Sequence, residues 1–236
     1  MSKSLLVVVA HVGDFVWRCG GAIALHAEKG VPVHIVCLSF GENGESNSAW
    51  AADNVDRAQV KALRQSEAEA AATLLGAASM TFFDLGDYPL IVTPHVIERL
   101  SSLMRELQPA VVITHPEKDP SNLDHCKTFE TVLAARMQAI APGHGKNYIV
   151  PPQVLSFEPH QSELCHFRPN MLLDISTVWE KKRSAMHAVA VQKNLWDYYE
   201  RVALQRGAQA GRRGQSKTSY AEAYQSIFPT VLGQLI

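Results

Sequence analysis

Two separated clusters of histidine and aspartate carry the chemical potential of this chain: Ala10-His11-Val12-Gly13-Asp14, and the run from His115 through Asp119, Asn122 and Asp124 to His125. Each follows an apolar, β-like stretch, residues 5–10 in the first case and 110–114 in the second. In an open α/β sheet, the residues just past the carboxyl ends of the strands line the ligand crevice. Imidazole and carboxylate are natural ligands for zinc or ferrous iron, and an active metal keeps a position free. His11 and Asp14 sit at a strand–helix junction with a spacing that lets both face one point. His125 falls near the start of a helix, where Asp124 can orient it or a neighbouring ligand from behind. Taken alone, an H-x-x-D pair arises by chance, and Asp14 reads equally well as a helix cap. Two such clusters, each at a strand end, reinforce one another.

The elements that must position these residues alternate between strand and helix. Strands are expected at 5–10, 33–39, 80–83, 110–114, 154–157 and 171–175. Helices are expected at 20–28, 56–75, 94–107, 124–140, 177–191 and 194–205, the third with Pro94 in its first turn. Residues 41–54 and 85–90 read as loops, and 206–219, rich in Gly, Arg, Gln and Ser, as a mobile one. The alternation implies an α/β fold with a Rossmann-like, mainly parallel sheet and helices on both faces. No repeat or linker divides the chain, so residues 1–236 are expected to form one unit with a helical and loop extension from about 193. The first strand–helix turn lacks G-x-G-x-x-G, which argues against a dinucleotide site; Gly20-Gly21 reads instead as close helix packing.

Bulk properties narrow the function classes. The chain has 236 residues, 47% of them hydrophobic and 19% charged, an ordinary globular composition. A formal net charge of −1 gives no case for nucleic acid or an anionic membrane as partner. No apolar run is long enough to span a membrane or to form a signal-peptide core, so a cytoplasmic location is expected. Cys19, Cys37, Cys126 and Cys165 form no C-x-x-C pair, which disfavours a zinc knuckle or a redox motif. Cys126 adjoins His125, but neighbouring helical residues point about 100° apart, so ligation by Cys126 is not expected.

The motifs resemble those of the PIG-L (LmbE-like) metal-dependent deacetylases. That family carries A-H-P-D-D followed by a helix with G-G-x-x-A; here the match is Ala10-His11-Val12-Gly13-Asp14, then Gly20-Gly21-Ala22-Ile23-Ala24. Its second motif ends in H-x-D-H, matched by Asn122-Leu123-Asp124-His125, and Asp174-Ile175-Ser176, Lys181-Lys182 and Gln192 are similar to its C-terminal pattern. The resemblance covers roughly residues 5 to 192 and implies His11, Asp14 and His125 as metal ligands. Zinc is the expected ion, although the same ligands accept Fe2+, Co2+ or manganese. Two departures stand out. In the deacetylases an aspartate at the Gly13 position deprotonates the metal-bound water, and a histidine at the Asn122 position steadies the oxyanion. General-base assistance is worth about 10²–10⁴-fold, so ordinary amide hydrolysis would be crippled without a replacement.

A narrower pattern, His11–Arg18 with Phe40-Gly41-Glu42, the stretch from Asp84 to Pro89, and Phe157-Glu158-Pro159-His160, resembles the hydratase branch of the family. That branch adds water to the enol tricarboxylate 4-carboxy-2-hydroxymuconate (4-oxalomesaconate) in bacterial gallate and protocatechuate breakdown. On this reading His160 is the expected base, its unperturbed pKa of about 6.5 suiting neutrality. Glu45, or secondarily Glu42, is the expected acid. Arg18, Asn122 and Arg213 are the candidate contacts to an anionic substrate, with Arg213 in a closing loop or contributed by a neighbouring copy of a homo-oligomer. Arg57 and Arg64 are further candidates to reach the crevice. His115 is expected to support the ligands from behind, and His144, in a turn, to be structural or exposed. Two other functions remain open at this point. One is N-deacetylation of amino sugars or related small amides with a relocated base; the other is non-catalytic metal or anion binding.

Overall fold

The computed structural model describes residues 4–214 and 217–230. Its elements, in chain order, are β1 (Ser4–Val9), α1 (Asp14–Glu28), β2 (Val33–Cys37), the single turn α2 (Asn47–Trp50), α3 (Arg57–Leu75), β3 (Ser79–Phe82), α4 (Pro94–Leu107), β4 (Pro109–Thr114), α5 (Leu123–Ile140), β5 (Gln153–Phe157), β6 (Met171–Asp174), α6 (Trp179–Ala188), α7 (Trp196–Gly211) and β7 (Ala221–Ser226). The strands form one seven-stranded sheet in the order β3-β2-β1-β4-β5-β7-β6. The first five in that order are parallel, and β7 runs antiparallel to both β5 and β6. This is the mainly parallel α/β architecture that the alternation of elements implies.

β1 is buried along its whole length, as a central parallel strand covered on both faces must be. Side chains alternate across a strand with period two. Val7 and Val9 therefore join the core under α1, α3 and α6, with Ile23, Ala71 and Met186. Leu6 and Val8 enter the core under α4 and α5, with Leu100 and Val132. From β1 the chain first builds outward through β2 to β3, then returns to place β4 on the other side of β1. The strand order reverses there, and a crevice opens beyond the carboxyl ends of β1 and β4. Both histidine–aspartate clusters issue into that crevice.

Local signals fix the surrounding helices. Asp56 accepts from the Gln59 amide while the Gln59 side chain accepts from the Asp56 amide, a reciprocal cap that starts α3. Asn122 caps α5 by accepting from the Asp124 amide. α1 begins at Asp14, earlier than the expected residue 20, and is broken by non-helical dihedrals at Cys19. The break frees the amides of Gly21 and Ala22, and both donate to the buried carboxylate of Glu222 on β7, at 2.7 and 2.8 Å. Lys182 Nζ of α6 lies 2.6 Å from the same carboxylate. A Cβ on Gly21 would lie 2.6 Å from Ile175, so Gly21 serves close packing, whereas a Cβ on Gly20 would make ordinary contacts from 3.4 Å outward.

Two expectations near the C-terminus need correction. Residues 206–211 continue α7 instead of opening a loop, because Gly207 is there for close approach: a Cβ on it would lie 2.0 Å from the Ser219 carbonyl oxygen. β7 was not anticipated, since Ala-Glu-Ala-Tyr-Gln-Ser carries helix-favouring alanine and glutamate and little β-branched character. The expected helix at 177–191 is α6 flanked by 3-10 turns at Ser176–Val178 and Ala190–Leu195. Of the expected unit 1–236 and the loop 206–219, residues 1–3, 215, 216 and 231–236 lie outside the described residues.

The Glu222–Lys182 pair joins α1, α6 and β7 in the interior, and removing one charge strands the other. Glu222→Gln is expected to lower the unfolding free energy by about 3–5 kcal/mol, read from urea denaturation. A loss no larger than the roughly 1 kcal/mol of a surface pair would show that the contact does not tie these elements.

Candidate metal centre and active site

His11, Asp14 and His125 converge from the two strand ends, their ligand atoms all within 4.8 Å of one another. His11 Nδ1 lies 3.5 Å from Asp14 Oδ2, and His125 Nε2 lies 3.7 Å from Asp14 Oδ1. Both ring nitrogens are buried and have no hydrogen-bond partner among the described residues. Each histidine gives its other nitrogen to a carboxylate: His11 Nε2 to Asp124 at 3.1 Å, His125 Nδ1 to Asp119 at 2.8 Å. A carboxylate behind each ring fixes its tautomer and aims the free lone pair at the shared point. Asp124 is itself held by the amides of Tyr88 and Leu90, and Asp119 by Ser121. The set fits a divalent cation: two orphaned imidazole nitrogens and a carboxylate oxygen facing one point.

Electrostatics point the same way. Burial pulls the pKa of His11 down, but Glu45, Asp124 and Asp14 override it and raise it to about 10. The carboxylates thus demand positive charge at this spot, as a proton or as a metal ion. Burial and then the neighbouring His115 push His125 down to about 4, leaving it neutral with its lone pair available. Asp14 stays ionised: burial works to raise its pKa, but His125, His115 and His11 hold it well below the usual carboxylate range. His115 Nε2 accepts the Ala10 amide at 3.0 Å, and its ring stacks on His125 with centroids 4.1 Å apart. It braces a ligand, with its acceptor nitrogen already engaged. Cys126 is likewise engaged, its sulfur accepting the Asp119 amide.

A pocket of about 200 Å³ opens over the cluster, with Arg18, Glu45, Tyr88, Asn122, His160 and Gln192 in its walls. Glu45 Oε1 is 3.5 Å from His11 Nδ1, so its carboxylate stands beside the ligand atoms. Asn122 directs its amide group to Glu45 at 3.0 Å and to the Tyr88 hydroxyl at 2.9 Å. Burial, then Glu45 and Asp124, hold the Tyr88 phenol above its usual range, so it remains a hydroxyl. Arg18 donates from Nε to Asp14 at 3.2 Å, while its Nη1 is buried without a partner among the described residues. His160 packs its ring on Tyr198, centroids 4.2 Å apart. Burial and then Arg18 lower its pKa, so it is neutral at neutral pH.

Two residues expected at the site stand elsewhere. Glu42 is buried beneath the loop with its carboxylate 3.5 Å from Lys61 Nζ, outside the pocket wall. Arg213 is exposed and lines a different cavity, of about 850 Å³, with Asn170, Leu172 and Arg206. Arg64 is fully buried behind the pocket wall, donating to Gln192 Oε1 at 2.8 Å, and is not itself among the lining residues.

Comparison with known proteins agrees with the geometry. Residues 6–136 match the model of the PIG-L family, described as GlcNAc-PI de-N-acetylase. The chain belongs to the PIG-L family. It is 50% identical over 240 residues to 4-oxalmesaconate hydratase of Pseudomonas putida, covering 99% of this chain and 92% of that protein. The crystal structure of GalB, the 4-carboxy-2-hydroxymuconate hydratase of the same organism, superimposes with a TM-score of 0.96 at 49% identity, covering 99% of this chain and 100% of that one. N,N'-diacetylchitobiose deacetylase from Pyrococcus horikoshii shares the fold, with a TM-score of 0.79 at 22% identity over 95% of this chain and 84% of that one.

Within this family framework, Gly13 has a steric explanation. Its φ is +105°, and a Cβ there would fall 2.6 Å from Gln192 Oε1 and 2.7 Å from Trp17 Nε1. The space above residue 13 is filled by the Gln192 carboxamide and the Trp17 indole. Asp119, Tyr88 and Gln192 are the site residues whose roles emerge only from the geometry. The signal for Asp119 was its place in the second cluster; nothing in the local sequence ties Gln192 to Glu45.

Asp119→Asn is expected to weaken metal binding about 10–100-fold, measured by titration against a competing chelator. His125→Ala should lose the metal outright; unchanged occupancy after dialysis would remove His125 from the ligand set. Gly13→Ala forces a side chain into positive φ and should cost about 1–3 kcal/mol of stability in urea unfolding, with the contact to Gln192 adding to it.

Proposed function

We propose that this protein is a metal-dependent hydratase, a hydro-lyase of aromatic-compound catabolism, with zinc held by His11, Asp14 and His125. Its substrate on this reading is 4-carboxy-2-hydroxymuconate (4-oxalomesaconate), and its product 4-carboxy-4-hydroxy-2-oxoadipate. The observation that carries it is the 50% identity to 4-oxalmesaconate hydratase across 99% of the chain. Gly13 supports it, since the position where the resemblance puts a deacetylase aspartate has no room for one beside Gln192. Four free cysteines, three of them buried, support a cytoplasmic setting.

A divalent ion held by His11, Asp14 and His125 would supply Lewis acidity against the negative charge that develops during addition. The protein must then take a proton from water, deliver protons to carbon and hold an anion. Glu45, beside the ligand atoms, is placed to take the proton as the water oxygen bonds to carbon, and to hand it to the adjoining alkene carbon. This reverses the pairing suggested by sequence, in which His160 activated water and Glu45 was the acid. His160 makes no hydrogen bond or ring contact with His11, Asp14 or His125 among the described residues. Held neutral, it is suited to accept the enol hydroxyl proton and return it to the carbon that becomes CH2 beside the new keto group. Arg18, a fixed charge with Nη1 unengaged, is the group to meet a substrate carboxylate. Asn122 acts through Glu45 and Tyr88, which its amide group already holds. Glu45 could also serve a hydrolytic reaction, so N-deacetylation stays as the second reading.

The test is loss of the substrate's conjugated-diene absorbance, abolished by chelation and restored by metal. Acetate release from an N-acetyl amino sugar, with no change in diene absorbance, would overturn the hydratase reading in favour of the second. His160→Ala and Glu45→Gln should each lower kcat by about 10²–10⁴-fold with metal content unchanged. Because the neutral form of His160 is the active one and its pKa is depressed, kcat should stay level from neutrality down to below about pH 6.5, then fall as the ring protonates. A fall that begins above neutrality as pH is lowered would contradict that role.

A further inference from the structure

We propose that Gln192 is a positioning residue that sets the orientation of the Glu45 carboxylate, with Arg64 as its anchor and Gly13 as its steric condition; this rests on the proton role given to Glu45 above. Gln192 Oε1 accepts from Arg64 Nη2 at 2.8 Å, and Gln192 Nε2 donates to Glu45 Oε2 at 3.0 Å. The chemistry of the partners permits only this orientation of the amide. A guanidinium can only donate and a carboxylate only accept, so the oxygen must face Arg64 and the nitrogen Glu45.

Arg64 is a rigid anchor. It is fully buried, donates to the Val12 carbonyl, and lies 2.6 Å from Glu67 Oε2. Glu67 Oε1 in turn accepts the Val191 amide at 2.8 Å, so α3 grips both the side chain of residue 192 and the backbone just before it. The two oxygens of Glu45 then have separate duties. Oε2 is fixed by Gln192, while Oε1 takes the Asn122 amide and faces His11 Nδ1. Glu45 stands on a loop, and without Gln192 its carboxylate would keep contacts through Oε1 alone. Gly13 completes the device. The Gln192 oxygen and the Trp17 ring nitrogen together occupy the place that a Cβ at residue 13 would claim, 2.6 and 2.7 Å from it.

Two substitutions separate positioning from mere filling of space. Gln192→Glu keeps the shape and the acceptor for Arg64 but turns the donor facing Glu45 into a second carboxylate. Gln192→Met removes both hydrogen bonds. Each is expected to lower kcat about 10–100-fold while leaving KM and metal content unchanged, the scale of a misplaced catalytic group. In a Glu45→Gln background, Gln192→Met should add no further loss, because the two residues act as one unit. The proposal is overturned if Gln192→Glu turns over as the wild type does, or if Gln192→Met slows the Glu45→Gln enzyme by the same factor as the wild type. Both of those outcomes leave Glu45→Gln slow. A fast Glu45→Gln enzyme instead overturns the proton role of Glu45, and the positioning role with it.

Discussion

The constraint on which the rest of this structure depends is the gathering of carboxylates at one end of the sheet. Asp14, Glu45, Asp119 and Asp124 approach two histidines in a space largely closed to water, and Arg18 offsets only part of their charge. Buried like charges are tolerated only where a cation or hydrogen bonds compensate them. The chain meets that requirement in layers. Asp119 and Asp124 each bond a ring nitrogen and backbone or hydroxyl donors, so they are satisfied before any ion arrives. What is left over is the inward-facing set of two lone pairs and one carboxylate, a deficit that a divalent cation fills.

The fold's part in this is topological. Strand order reverses between β1 and β4, and only there do two consecutive carboxyl ends open into the same crevice. His11 and Asp14 come from one, Asp119 and His125 from the other. Because β1 is buried on both faces, its register cannot slip without turning Val7 and Val9 out of one core and Leu6 and Val8 out of the other. The position of His11 therefore inherits the rigidity of the most buried strand. Farther away, the break in α1 at Cys19 is stabilised by Glu222, which ties the helix carrying Asp14 and Arg18 to the last strand.

This division explains what could be read from the sequence. The strands of the central sheet and the metal cluster were legible because each is a local pattern: an apolar run, then histidine and aspartate at its end. β7 was not, because its burial is decided by partners on β5, β6 and α1 and not by its own composition. The pocket divides the same way. Glu45 and His160 were found by resemblance of short motifs, but their separate places relative to the ligands depend on how the loop folds back over His11. Glu42 has the same chemistry as Glu45, yet lies beneath the loop against Lys61, a distinction no spacing rule makes. Gln192 is 147 residues from Glu45, and Arg64 is 128 residues from Gln192, so their contact is invisible to any local reading.

That long-range contact bears on how one fold supports different reactions. The metal ligands constrain only where the ion sits; the reaction depends on which side chain stands next to it and how firmly that side chain is held. At residue 13 an acid would be fixed by the strand-end turn itself, with no help from the rest of the molecule. Here that position has no side chain, and the carboxylate that faces the His11 Nδ1 lone pair from the pocket wall, Glu45, comes from the loop after β2. A group relocated in this way needs an external support, because catalytic geometry tolerates little displacement. Gln192 and Arg64 supply one, and Gln192 lies in the very space that a side chain at residue 13 would need. In this structure a side chain at residue 13 and the braced Glu45 coexist only if Gln192 or Trp17 shifts. A carboxylate can thus stand beside the metal ligands from residue 45 in place of residue 13 while the ligand set His11, Asp14 and His125 stays the same.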